Sequence, residues 1–206
     1  MNEQGNRAVT ALPAETRGRL MEATVACLKE HGLRGTTSRR IAAAAGVNLA
    51  GITYHFGSKD ELVSQALIEA IRSLIQPAID ILREQSDPIL RMIGAIQALQ
   101  TSFEQGRSLL PVYMAALVEA PRDGALGTAA GDLFRELRGF LAEQIRGLKD
   151  NGFLPGWVDP IPMATALIAL GDGIAVRMVA TPEAVDHHAV AAQVIQLLLS
   201  AAPRDP

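Results

Sequence analysis

The chain has 206 residues, 49% of them hydrophobic, and a formal net charge of −3. That content supports a buried core for one large or two small domains and excludes a disordered chain. A single cysteine, Cys27, excludes an internal disulfide framework and a multi-cysteine metal site.

The charge is unevenly spread. Residues 1–60 carry eight Lys or Arg against five Asp or Glu, a balance of +3, whereas residues 61–206 carry eleven against seventeen, a balance of −6. A basic head on an acidic body fits a head that meets a polyanion. No uninterrupted apolar run reaches the roughly 18 residues that span a bilayer. The N-terminus lacks a basic segment followed by an apolar stretch. The expectation is a cytoplasmic protein with no membrane partner.

Residues 1–13 show no periodicity and read as a tail. From Ala14 to His31 the apolar residues Leu20, Ala23, Cys27 and Leu28 mark one helix face, and Gly32 closes the helix. On that face Cys27 is a small core residue. Thr37 is an N-cap for a helix over Ser38–Ala45, with Ile41, Ala42 and Ala45 inward. Gly46 breaks the run and Val47 fills the corner. Asn48 caps a second short helix, Leu49 to about His55. Neither helix is long enough to be stable alone. Both must pack on the first through Ile41, Val47, Ile52 and Phe56. Helix, tight glycine turn and helix is the helix-turn-helix arrangement. Its second helix would expose Asn48, Ala50, Gly51 and Thr53, small or hydrogen-bonding side chains suited to base edges in a major groove. Thr37, at a helix N-terminus, offers a hydroxyl and free N–H groups to a phosphate.

The run from Thr36 to Leu62, TTSRRIAAAAGVNLAGITYHFGSKDEL, resembles the N-terminal domain of the TetR (tetracycline-repressor) family. The matching elements are Thr36-Thr37, Ile41-Ala42, Ala45-Gly46-Val47, Tyr54-His55-Phe56 and Ser58-Lys59. The spacing of Tyr-His-Phe and then Lys after Gly-Val is the specific part. The likeness is strong over about the first 65 residues; beyond them it rests on the number and order of helices. It implies an all-α fold of about nine helices: a helix-turn-helix domain over residues 14–60 and a larger ligand-binding and dimerisation domain over residues 61–206. It also implies that Tyr54 and Lys59 touch the DNA backbone on either side of the groove, while His55 is open to either role. Ser38, Arg39, Arg40 and Leu49 complete the candidate contact set. One position departs from the family. Residue 40, usually acidic there, is Arg40, which weakens the capping box with Thr37. Arg40 either reaches DNA or pairs with an acid of the first helix such as Glu30.

Ser58 and Glu61 form a capping box for a fourth helix, which Pro77 should kink or interrupt after Ile75. Asp87-Pro88 opens a helix carrying Met92, Ile96, Leu99 and Phe103, ended by Gly106. A shorter helix follows from about Leu109 to Ala120, then a loop over residues 121–127. A long helix runs from about Thr128 to Asn151 with Leu133, Leu137, Leu141, Ile145 and Leu148 on one face. The loop after Gly152 anchors Phe153 and Trp157. Asp159-Pro160 opens the next helix and Thr181-Pro182 the last, ending near Ser200. No alternating strand pattern competes.

Residues 163–180 and 189–202 are apolar on all sides. The two helices near 160–180 and 184–201, paired with a second copy, would form the four-helix homodimer interface that the resemblance implies; the alternative is the central core of a monomer. A two-fold dimer would read a palindromic operator in double-stranded DNA. The resemblance also implies a pocket for a small-molecule effector between residues 62 and 180. Met92, Phe103, Tyr113, Met114, Leu117, Phe134 and Trp157 are lining candidates against a plain core reading. Asp172 and Arg177 lie in the most apolar helix, where an unpaired polar group costs about 1–3 kcal/mol if buried. They either pair across a dimer, pair with another helix or meet a ligand. His187 and His188 point apart by roughly 100° on a helix and do not share a metal. No metal or cofactor is expected. No G-x-S-x-G, His-Glu metal motif or phosphate loop appears, so an enzyme is not expected. The expected function is a ligand-responsive regulator, a repressor released by an apolar or amphipathic effector. The alternative is a helical small-molecule-binding or interaction protein without DNA regulation.

Overall fold

A computed structural model describes residues 13–84, 87–119, 124–181 and positions 186, 189, 190, 192, 193 and 196. Among the described residues there are eight α-helices, one 3-10 turn and no strand. The helices are α1 (Pro13–Gly35), α2 (Ser38–Ala45), α3 (Ala50–Phe56), α4 (Lys59–Arg83), α5 (Pro88–Gln105), α6 (Leu110–Glu119), α7 (Ala125–Asp150) and α8 (Pro160–Ala180), with the 3-10 turn at Arg107–Leu109. The all-α expectation holds. The tail expected over residues 1–13 lies outside the described residues except for Pro13, which opens α1. His187 and His188, with most of the last expected helix, also lie outside them. The chain divides into two compact units, residues 1–66 and 67–206.

In the first unit α2 and α3 pack on α1. Leu20, Leu28 and Ile41 are wholly buried, and Ala23, Ala42, Ala45, Ile52 and Phe56 complete the core. Thr24 is buried among them, its hydroxyl donating to the Leu20 carbonyl at 2.7 Å. Cys27 is also buried, and burial pushes its thiol above the ordinary range, with Glu30 adding to the effect and Arg40 opposing it. Gly32 breaks the helical path of α1 with φ 67°, a left-handed value that suits glycine. Its carbonyl accepts the buried Thr36 hydroxyl at 2.8 Å, which fixes the approach to α2.

The second unit holds most of α4 and all of α5 to α8. Helix α4 runs through Pro77 to Arg83, so the expected interruption does not occur. Pro77 is exposed, while Ala78, Ile79 and Leu82 on the other side keep α4 packed. Asp87 caps α5: its carboxylate accepts from Ile89 N–H at 2.9 Å and Leu90 N–H at 3.0 Å. Asp87→Ala should cost about 1 kcal/mol by leaving both donors without that acceptor; urea unfolding would read it, and an unchanged midpoint would refute the cap's contribution.

Helix α7 begins at Ala125, three residues before the expected start, directly after Gly124 with φ 144°, and residues 121–123 of the expected loop lie outside the described residues. The loop before α8 is fastened by Val158, not by Trp157. Val158 is buried with Ala142, Ile145 and Ala164, and Lys149 Nζ donates to its carbonyl at 2.8 Å. Trp157, turned the other way, is 75% exposed. By length and composition α8 could cross a membrane, with mean hydropathy 1.6 and only 17% of the apolar window buried. That differs from the expectation drawn from uninterrupted runs, because Asp172 and Arg177 interrupt the residue string without lowering the average enough.

Candidate functional site

In the first unit the candidate contact residues lie at the N-terminus of α2, along the exposed side of α3 and at the start of α4. Thr37 caps α2, its hydroxyl oxygen accepting from Arg40 N–H at 3.3 Å. Gly46 ends α2 at φ 62°, and its N–H donates back to Ala42 and Ala43 carbonyls. Arg19, across on α1, donates from Nη2 to the Ala45 carbonyl and to the Gly46 carbonyl at 3.0 Å. This guanidinium locks the turn between the two short helices. No local sequence pattern could have shown it, because the partners are 26 and 27 residues apart.

After the turn, Asn48 Oδ1 accepts from Ala50 N–H at 3.1 Å and sets the start of α3 one residue later than expected. Ile52 and Phe56 face the core, which leaves Ala50, Thr53 and Tyr54 in solvent. Tyr54 is 80% exposed, an unusual cost for a phenol ring in a small helical domain. Its ring meets His55 edge-on at 4.8 Å between centroids. Thr37, Arg39, Asn48 and Leu49 are exposed with them, and Ser38, Gly51, His55 and Lys59 are half-buried. Lys59 Nζ lies 3.0 Å from Asp60 Oδ1, an exposed pair that water screens.

Arg40 is exposed and lies back along the chain. Its Nη1 donates to the Gly35 carbonyl at 2.5 Å, so it serves the broken end of α1 instead of pairing with Glu30. On the core side of α3, Arg17 lies 5.0 Å over the Phe56 ring and donates to Gln65 at 2.7 Å.

The second unit contains a cavity of about 310 Å³, lined by α4, α5, α6, α7 and α8. That volume lies at the lower end of small-molecule sites, roughly 300–1,000 Å³. Of the residues expected there, Met92, Phe103, Tyr113, Phe134 and Asp172 line it. Met114, Leu117, Trp157 and Arg177 do not. Among the described side chains of α6, Leu110 and Tyr113 of its first turn reach the cavity, and Met114 and Leu117 do not. Arg177 sits five residues after Asp172, about 140° further round α8, and is exposed. Leu133, Leu137, Leu141, Ile145 and Leu148 of α7 all line the cavity. Their stripe reads as core in the sequence because a cavity wall and a packed core use the same spacing.

Asp172 is the acid of this lining. The Tyr113 hydroxyl donates to its Oδ1 at 2.5 Å, linking α6 to α8. Burial holds the Asp172 carboxyl above its ordinary range, and the Tyr113 bond pulls it partly back. Burial, and then the bond to Asp172, push the Tyr113 phenol upward, so it stays a donor at all physiological pH.

Two family models match the chain. "Bacterial regulatory proteins, tetR family" covers residues 20–66, and "BetI-type transcriptional repressor, C-terminal" covers residues 91–202. The curated relatives include the HTH-type transcriptional repressor KstR2 of Mycobacterium tuberculosis, 33% identical over 97 residues, 47% of this chain and 48% of that protein. The chain thus spans about half the length of that relative. Among solved structures, a transcriptional regulator from Pseudomonas aeruginosa PAO1 is 25% identical, with TM-score 0.78 over 94% of this chain and 93% of its own. A transcriptional regulator from Saccharomonospora viridis in complex with choline shares the fold at 20% identity, with TM-score 0.77 over 93% of this chain and 100% of its own. The two family matches cover both units, and the chain belongs to the TetR family of bacterial transcriptional regulators.

Proposed function

We propose that the protein is a cytoplasmic, ligand-responsive repressor that binds a palindromic operator as a homodimer and leaves it when an apolar or amphipathic effector fills the second unit. The observation that carries this reading is the surface of α3. Thr53 and Tyr54 are exposed beside the short, small residues Asn48, Ala50 and Gly51, while Ile52 and Phe56 hold the helix to its core. Such a helix can approach base edges closely, with Thr37 and Lys59 flanking it for phosphate contact. The dimer reading is supported by the exposed apolar residues of α8, Ile161, Leu170, Val176 and Val179.

A mobility-shift titration with the protein's own promoter region tests the assignment. Tyr54→Phe and Thr53→Ala should each weaken binding by about 3- to 10-fold, the net worth of one hydrogen bond. Lys59→Ala should weaken it across all sequences and lower the slope of affinity against salt by about one unit. Unchanged binding in all three variants would refute this surface as the reader. Sedimentation of a stable monomer at micromolar concentration would remove the dimer.

A further inference from the structure

The turn between α2 and α3 is fastened to α1 by Arg19, a half-buried residue outside the candidate contact set. The last carbonyls of a helix have no partner within it and need donors from elsewhere. At the end of α2, the Gly46 and Val47 N–H groups serve the Ala43 and Ala42 carbonyls at 3.2 and 3.0 Å. The Ala45 and Gly46 carbonyls both accept from Arg19 Nη2, the second at 3.0 Å. A cation there also meets the negative end of the helix dipole. Gly46 leaves the room for it, since a Cβ on that residue would stand 2.9 Å from the same nitrogen. Arg19 and Gly46 therefore fit each other as one device.

What this device controls is the direction of α3. The helix has seven residues, and its buried side chains, Ile52 and Phe56, stand about one turn apart. Two anchors in a row fix a line, and rotation about that line must be stopped elsewhere. Only Val47, Asn48 and Leu49 separate Gly46 from the start of α3. Asn48 Oδ1 accepts from Ala50 N–H, and the Asn48 carbonyl accepts from Gly51 N–H at 2.9 Å. With the two peptide planes before Val47 also fastened, the connection is held at both ends. Base-edge hydrogen bonds need fixed directions, whereas phosphate contacts carry no sequence information. A tilted α3 would thus lose its preference for the operator before its attraction to DNA at large. We propose that Arg19 is a positioning residue for operator recognition. It touches no nucleotide; by holding the Ala45 and Gly46 carbonyls it sets α3 at the angle that separates operator from unrelated DNA. The proposal rests on the reading of α3 as the surface that meets base edges.

Arg19→Gln, whose side chain ends short of Nη2, tests it in mobility-shift titrations at matched folded fraction, set by far-UV circular dichroism. The two DNAs are the protein's own promoter region and an unrelated duplex of equal length. Operator affinity should fall about tenfold, affinity for the unrelated duplex should stay within about twofold, and the slope of operator affinity against salt should not change. Thr53→Ala should cost less in the Arg19→Gln background than alone, because a misaligned α3 no longer makes that contact. In the unsubstituted protein, the Arg19 guanidinium protons should be protected from exchange in NMR spectra and stay protected when operator is added. Equal losses on both duplexes, with the salt slope lowered by about one unit, would make Arg19 a phosphate contact and overturn the proposal. A loss that vanishes once folded fractions are matched would make the clamp a stabilising bond alone and overturn it too. Guanidinium protection lost on adding operator overturns it even if Arg19→Gln does not fold. If Thr53→Ala and Tyr54→Phe weaken operator binding and Arg19→Gln does not, the reading surface stands and only the positioning role falls. If Thr53→Ala, Tyr54→Phe and Lys59→Ala all leave binding intact, the reading surface falls and takes the role of Arg19 with it.

Discussion

Ile41→Ala should destabilise the first unit by about 2–5 kcal/mol, the range for deleting a buried aliphatic side chain and leaving its cavity. Ile41 has no exposed surface and sits at the centre of an eight-residue helix. Helices this short do not persist alone, so α2 depends on its contact with α1. The small neighbours Ala42 and Ala45 cannot expand into the vacated space. Urea unfolding followed by far-UV circular dichroism measures the loss. Ile41→Val, removing one methyl, should cost only about 0.5–1.5 kcal/mol. Operator binding by the alanine variant should fall in step with its folded fraction and recover on cooling toward the stability maximum. A cost below about 1 kcal/mol would mean that α2 is held by something other than this side chain.

Gly106→Ala should destabilise the second unit by about 1–3 kcal/mol through overpacking. The backbone there is ordinary, with φ −88°, so strain is not the cause. An added Cβ would stand 2.2 Å from Leu74 Cδ2 and 2.9 Å from the Ser102 carbonyl oxygen. The leucine can turn away, but the carbonyl belongs to the last turn of α5 and cannot. Displacing Leu74 would also push a cavity-lining side chain, so ligand affinity should change together with stability. Gly139→Ala supplies the contrast. It lies within α7 with nothing within 4 Å of the new methyl group, and alanine should stabilise the helix by about 0.5–1 kcal/mol. Thermal unfolding of the two variants should move in opposite directions, and equal shifts would refute the packing argument.

What the sequence revealed, and what it hid, follows from the range of each interaction. Thr37, Ser58, Asp87 and Asp159 were legible as caps because each bonds an N–H two or three residues ahead. The exposed side of α3 was legible because Ile52 and Phe56 define its opposite side. Pro77 did not end the helix, because a proline removes one hydrogen bond from a long helix whose Ala78, Ile79 and Leu82 still line the cavity. Trp157 and Val158 are neighbours, and only the tertiary fit decides which turns inward. The clamp of Arg19 on the Ala45 and Gly46 carbonyls joins residues whose proximity exists only after folding. The cavity was expected from the family resemblance and not from the apolar pattern, because an apolar stripe records which side of a helix avoids water and not whether another side chain or a ligand meets it.

Cys27 gives the protein a built-in reporter. It is the chain's one thiol, it is buried, and burial holds it in the less reactive protonated form. A water-soluble thiol reagent can modify it only during transient opening of the first unit. When reclosing outruns the chemistry, the labelling rate relative to a free cysteine gives the opening free energy directly. The natural sequence can therefore be timed with and without operator DNA. The slowing that DNA produces would give the coupling between binding and local stability, with no substitution introduced.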